Sequence, residues 1–317
     1  MKALYSRREL EHISFEDMQV PFERYFFKFE NQRKEIAKLK LHEKDFLFRG
    51  MRCFYDASGK RAYNVFKVPE LKECLFFWII LIHSNMTMVF EGLVPGPGNV
   101  PLSSIEKRKN KRFFFEYLQV WKNQIESGKG PYMSIIRPTI HLKLENWRYY
   151  ASATGMSHED LKKKEVFIYA CFFHIYYHVK LYFDEFPRPY ELRTINGYDI
   201  VFNVYSYVHI YSRHYIPNMN QDLGTTTLNP DTGTIDLDEL PVSIFALIER
   251  YNEFYPINQD TEYLLFTWKK DSFILWIKYK RLNETKNYGF EVRSFYKCAE
   301  DRDLEKFAEG KQLPLKV

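Results

Sequence analysis

Apolar positions in the first 187 residues recur at three- and four-residue spacing, the period of a helix with one buried face. Beyond Phe186-Pro187-Arg188-Pro189 the pattern changes to short blocks rich in Val, Ile, Phe, Tyr, Thr and Trp, bounded by turn residues. The first half is therefore expected to be helical. One helix is predicted over residues 14–54, with Phe22, Tyr25, Phe26 and Phe29 on its buried face, and another over 70–90, opened by Pro69. A third spans 103–126, with Ser103 as its cap and Glu106 three residues on, and a fourth spans 157–183. Pro95-Gly96-Pro97-Gly98-Asn99-Val100-Pro101 cannot continue a helix and reads as a linker or a long exposed turn. The apolar run from Leu75 to Ile82 is interrupted by His83, Ser84, Asn85 and Thr87, short of the roughly 18–20 residues a bilayer span needs. It is expected to be a buried helix.

Past the proline break, strands are expected over 191–203, 204–216, 261–270, 273–281 and 289–298, with hairpin turns at 270–272 and 283–287. One helix, over 241–255, interrupts them, with Asp236, Asp238 and Glu239 before its first turn, where negative charge suits the helix dipole. The fold class that follows is α+β: a helical N-terminal half, then a small antiparallel-sheet module with one packed helix. Three regions are expected, 1–93 and 94–187 helical and 188–317 the sheet module.

At 317 residues the chain exceeds the size at which one core keeps growing. The 28 Phe and 24 Tyr change the picture more, because so many aromatic rings must fill cores or present faces that stack on something. The net charge of +5 is uneven: residues 1–187 carry +8 and 188–317 carry −3, so long-range attraction for a polyanion would come from the helical half. Lys107, Arg108, Lys109, Lys111 and Arg112 crowd the start of the third helix, either as a stripe that contacts phosphates or as a solvated face. Cys53, Cys74, Cys171 and Cys298 are far apart and suggest neither a disulfide framework nor a zinc site. His174 and His178 face one way on the fourth helix, but Ile175 and Tyr176 stand where a metalloprotease helix would carry its glutamate, so two hydrogen-bonded imidazoles are expected and no metal. No cofactor is called for. Without a signal-peptide pattern or a membrane span, the cytoplasm is the expected location.

The densest chemistry lies in Val208-His209-Ile210-Tyr211-Ser212-Arg213-His214-Tyr215-Ile216-Pro217. Read as a strand, it places His209, Tyr211 and Arg213 on one face, with His214 brought in by a bend before Pro217. Two imidazoles and a guanidinium supply a general acid, a general base and a phosphate clamp. Trp276, Lys278 and Lys280 share a face of a later strand, and Arg293, Ser294 and Tyr296 lie on the last one. The order of these residues, a histidine and an Arg-His pair before a helix and a closing sheet with Lys278 and Ser294-Phe295-Tyr296, resembles the phage-associated members of the barnase, EndoU, colicin and RelE-like nuclease superfamily. The resemblance covers about residues 190–300 and implies a metal-independent RNA-cleaving enzyme, toxin-like or a phage or mobile-element effector. The expected catalytic residues are His209, Arg213, His214, Lys278 and Ser294. Substrate would be held by Tyr211, Lys280, Arg293, Tyr296, Lys107, Arg108 and Lys111. RNA is the expected partner, with an inhibitory or host protein as a further one and no membrane. The competing expectation is a non-enzymatic protein that binds protein or nucleic acid through its aromatic-rich surface. Convergence of His209, Arg213 or His214 with Lys278 or Ser294 in one concave pocket separates the two.

Overall fold

The computed structural model describes residues 5, 9–10, 13–30, 39, 43–44, 46–47, 50, 93–94, 100–101, 103–184, 186–215, 239–298 and 301–315. Four helices precede the sheet among these residues. Helix α1, Phe15–Glu30, starts where the Ser14 hydroxyl accepts the Asp17 amide at 3.1 Å, and it buries Met18, Phe22 and Tyr25. A two-residue ladder then pairs β1, Leu93–Val94, with β2, Val100–Pro101, so the strands on either side of the Pro-Gly segment form an antiparallel hairpin. The predicted helix over 70–90 lies outside the described residues, as does the Leu75–Ile82 run.

Helix α2, Ser104–Ser127, buries Phe114, Leu118, Trp121 and Ile125, one stripe at i, i+4, i+7 and i+11. Helix α3, Met133–Thr154, does the same with Met133, Ile136, Ile140, Leu144, Trp147 and Ala151, and carries Pro138 in its first turns. Helix α4, His158–Phe183, is capped by Ser157, whose hydroxyl accepts the Asp160 amide at 3.1 Å. Its second half buries Cys171, Phe172, Phe173, His174, Ile175, His178, Val179 and Phe183, while Tyr176, Tyr177, Lys180, Leu181 and Tyr182 are half-buried. Among the described residues no helix is long and apolar enough to cross a membrane.

The C-terminal part is a six-stranded mixed sheet, so the fold is α+β. Strands β3, Tyr190–Ile195, and β4, Tyr198–Asn203, form a hairpin rather than one long strand. The turn is Asn196-Gly197, both residues at positive φ, and this pair is the strongest local hairpin signal a sequence carries. Strands β5, Tyr263–Trp268, β6, Asp271–Arg281, and β7, Tyr288–Lys297, form an antiparallel meander, and β8, Gln312–Pro314, adds one edge. The order is β3-β4-β7-β6-β5-β8, with parallel joins at β4–β7 and β5–β8. The β4–β7 join is tight: a Cβ on Gly289 would lie 2.3 Å from the Asp199 carbonyl oxygen. The β5–β6 turn is at Lys269-Lys270, with Asp271 already paired to Trp268, one residue earlier than the sequence suggested.

The largest departure is over residues 204–215. The expected strand is instead helix α5, Val204–Ile210, continued by a π-helical turn at Tyr211–Tyr215. Asn203 ends β4 and starts the helix, because its side chain accepts the Ser206 amide while the Ser206 hydroxyl is bonded back to the Asn203 amide. Ser206 also donates to the Val292 carbonyl at 2.6 Å, which ties the helix to β7. These tertiary bonds outweigh the strand preference of Val204, Tyr205, Tyr207, Val208 and Ile210. Helix α6, Leu240–Phe254, agrees closely with the expected 241–255 and packs with Tyr251 edge-on to Phe266, while Arg193 of β3 reaches its Glu249 at 2.9 Å. A final helix, α7, Asp301–Glu309, follows β7.

Contacts group the chain into two compact units, residues 1–127 with 144–170, and residues 128–143 with 171–317. The division expected near residue 187 falls inside the second. The end of α4 belongs with the sheet because its side chains reach across: the Tyr182 hydroxyl donates to Glu191 at 2.5 Å, and the Phe183 ring meets Tyr207 edge-on.

Candidate functional site

A cleft of about 880 Å³ opens between α5 with its π turn, the β6–β7 pair, the loop at 259–262 and α7. From α5 and the π turn come Tyr205, His209, Arg213 and His214, spaced so that the first three follow the helical i, i+4, i+8 face. His214 is five residues past His209, a step that an α-helix would turn away. The π turn closes on i+5 and brings the two rings to 6.3 Å between centroids. From the sheet come Trp276, Lys278, Tyr279, Arg293, Ser294 and Tyr296.

A β-bulge arranges these strand residues. Ser294 pairs with Trp276 and Val292 with Ile277, which leaves Arg293 as the extra residue of β7. Without the bulge Arg293 and Ser294 would point to opposite faces, as strict alternation predicts. With it both line the cleft.

Two hydrogen-bonded groups hold the walls. His214 is buried, its Nε2 lies 2.9 Å from the Ser294 hydroxyl, and its ring stacks on Tyr296 at 4.6 Å. Tyr296 in turn accepts the Trp276 Nε1–H at 3.0 Å and donates to Asp303 of α7 at 2.8 Å; burial, then that bond, pushes the phenol upward from its ordinary pKa. On the other side, buried Glu291 takes an ion pair from Lys280 at 2.9 Å and another from Arg293. Burial alone would raise the Glu291 carboxyl, but the bonds and charges of Lys280 and Arg293 outweigh it and hold the group below the usual carboxylate range.

His209 is the half-buried imidazole of the cleft. Its Nδ1 lies 3.5 Å from the Tyr205 hydroxyl, and its ring stacks on Tyr205 at 5.4 Å. Burial first, then the charges of Arg213, Arg293 and Lys143, push it down to about 4, so it is neutral at pH 7. Burial and Arg213 likewise push the Lys143 ammonium down to about 8. The cleft thus combines a neutral imidazole, three cationic side chains in Arg213, Lys278 and Arg293, and the Ser294 hydroxyl, with Asp260, Glu262 and Asp303 at its margins.

Seven of the residues singled out from sequence line this cleft: His209, Arg213, His214, Lys278, Arg293, Ser294 and Tyr296. Five do not. Tyr211 was placed beside His209 by the strand reading, but on a helix it points inward, is buried, and bonds His174 Nε2 at 2.8 Å. Lys280 is engaged with Glu291 and does not line the cleft. Lys107, Arg108 and Lys111 lie on α2, in the other unit. Sequence reasoning passed over Tyr205, Lys143, Asp260, Glu262 and Asp303. Tyr205 was within reach, since it sits one helical turn before His209 once the Asn203–Ser206 capping pair is recognised; the others gave no local signal. Among the described residues no group of three or more His, Cys, Asp or Glu side chains forms a metal site. Comparison with protein-family models, curated proteins and solved structures finds no match to this chain.

Proposed function

We propose that this protein cleaves RNA, with the substrate's own 2′-hydroxyl as nucleophile and the cleft's side chains supplying the acid–base and phosphate-stabilising chemistry. The observation that carries the reading is the gathering of His209, Arg213, Lys278, Arg293 and Ser294 in one cleft from elements far apart in sequence. The reaction asks the protein for three things. A base must take the 2′-hydroxyl proton, cations must stabilise the crowded phosphate, and a donor must protonate the leaving 5′-oxygen. Neutral His209 accepts the proton. The 2′-oxygen attacks the adjacent phosphorus, the bond to the 5′-oxygen breaks, and the products are a 2′,3′-cyclic phosphate and a 5′-hydroxyl. Arg213 and Arg293 hold the phosphate oxygens, and Lys278 is the exposed ammonium that can give the leaving oxygen its proton.

An imidazole at about 4 is a weak base in the empty cleft. A bound phosphate raises it, because its negative charge offsets the charges of Arg213 and Arg293 that, after burial, depress His209. Buried His214, bonded to Ser294 and stacked on Tyr296, positions the hydroxyl rather than transferring a proton.

The test is incubation of the purified chain with single-stranded RNA, with and without a chelator, followed by analysis of the product ends. Cleavage that persists in chelator, leaves cyclic or 3′-phosphate ends and spares both DNA and 2′-O-methyl RNA is the expected result. A requirement for metal, cutting of DNA, or no cleavage at all overturns the reading.

A further inference from the structure

We infer that Tyr205 and Glu291 are positioning residues for His209: Glu291 anchors Arg293 against Tyr205, and Tyr205 holds the imidazole in place. The inference rests on His209 being the working group of the cleft, as proposed above, and it concerns residues that act through that imidazole.

The connections form one chain. Glu291 is buried and fixed from three sides, by Lys280, by Arg293 and by the Asn203 side-chain amide at 3.1 Å. Arg293 therefore has its guanidinium tethered at one end. At the other it donates to the Tyr205 hydroxyl at 3.1 Å and lies over the Tyr205 ring at 4.5 Å. Tyr205 passes this order to His209, one turn later on α5, through a near-parallel ring contact of 22° and the hydroxyl at Nδ1. With Nδ1 occupied, Nε2 is the nitrogen left for a substrate. A planar ring with one edge bonded and one face stacked has little freedom to rotate, which is what a proton-transferring imidazole requires.

The bulge in β7 belongs to this device. It makes Arg293 the unpaired residue, free of strand alternation, so that the same side chain reaches Glu291 and Tyr205. The groups that face His209 are Tyr205 on its own helix, Arg213 and His214 on the π turn, Arg293 on β7 and Lys143 on α3.

Glu291→Gln separates anchoring from simple charge, because the two predict opposite signs. If Glu291 anchors Arg293, its loss frees the guanidinium, and the His209 midpoint read by NMR rises above about 4, while burial and Arg213 still hold it below the ordinary imidazole value. If Glu291 acts only as a negative charge, its removal drives the midpoint lower still, and that result overturns the proposal. Tyr205→Phe keeps the ring but not the hydroxyl, and leaves the buried ion pairs intact. It should shift the His209 Nδ1 resonance and lower kcat about tenfold with KM little changed, the size expected for a group that orients another. A folded Tyr205→Phe protein with an unshifted Nδ1 resonance also overturns the proposal. If the parent chain cleaves no RNA, the function proposed above fails, and the two NMR readouts still decide whether Glu291 and Tyr205 hold His209.

Discussion

Two imidazole–tyrosine clusters in this protein have the same parts and different surroundings. On α4, His174 and His178 lie one turn apart and meet Tyr211, whose hydroxyl is 2.8 Å from His174 Nε2. On α5, His209 lies one turn after Tyr205 and contacts its ring and hydroxyl. The first cluster is sealed: His174, His178 and Tyr211 are all buried, and none of them lines the cleft. The second opens on the cleft beside Arg213 and Arg293. A histidine–tyrosine contact is therefore not a site by itself. Neighbouring cations and an opening onto the cleft distinguish one of the two clusters from the other, which is sealed in the core.

The sharpest way to break this comparison is to remove the sealed cluster altogether. A fragment beginning at residue 188 keeps His209 and every other cleft residue but loses His174, His178 and the buried side chains Cys171, Phe172, Phe173, Ile175, Val179 and Phe183. Each large apolar group contributes about 1.5–3 kcal/mol when buried, and together they match the 5–15 kcal/mol by which domains are stable. The fragment should show no cooperative thermal transition, whereas one that keeps residues 128–317 should. A sharp melt from the 188–317 fragment would show that the sealed cluster is dispensable.

Activity should divide the clusters next. His209→Ala and Arg213→Ala should each lower the rate of RNA cleavage by about 10² to 10⁴, the range for losing an acid–base group or a charge-stabilising donor. His174→Gln should leave the rate of the folded protein within about twofold, since a change remote from the reacting atoms removes no transition-state contact. Equal losses in all three would erase the distinction.

Acid titration sharpens the comparison through stability. His209 titrates at about 4 when folded and near 6.5 when unfolded, so between those values the unfolded chain binds the extra proton. Stability from this group is whole above pH 6.5 and is lost as the pH falls through 4, a change on the order of 3 kcal/mol. Urea melts at pH 7 and pH 4 should show that much less acid sensitivity in His209→Gln than in the parent chain. Parallel curves would contradict the depressed imidazole.

The smallest expected effect is Tyr211→Phe. It removes the hydroxyl partner of buried His174 Nε2 without changing the ring, so stability should fall by about 1–3 kcal/mol while the cleavage rate holds. Urea denaturation and an RNA assay on the same sample would measure both.

By itself the sequence determined the helices over 104–127 and 158–183, the change from helix to sheet at the 186–189 break, helix α6 and the three strands of the meander, but not helices α3 and α7 or strand β8. Those features rest on local periodicity and on turn residues, which act over a few positions. It also pointed to His209, Arg213, His214, Lys278, Arg293, Ser294 and Tyr296, because their side-chain chemistry is legible wherever they sit. Tertiary structure decided the conformation of residues 204–215, where bonds from Asn203 and Ser206 to distant β7 outweigh a strand-like composition. That one reversal moved Tyr211 from the cleft to the core and put Tyr205 beside His209. The parallel joins, the bulge at Arg293 and the Glu291 anchor were equally out of reach, since each depends on which strand lies alongside which. Pairings between residues some eighty positions apart, such as His214 with Ser294, follow from sheet order, and no short-range pattern encodes sheet order.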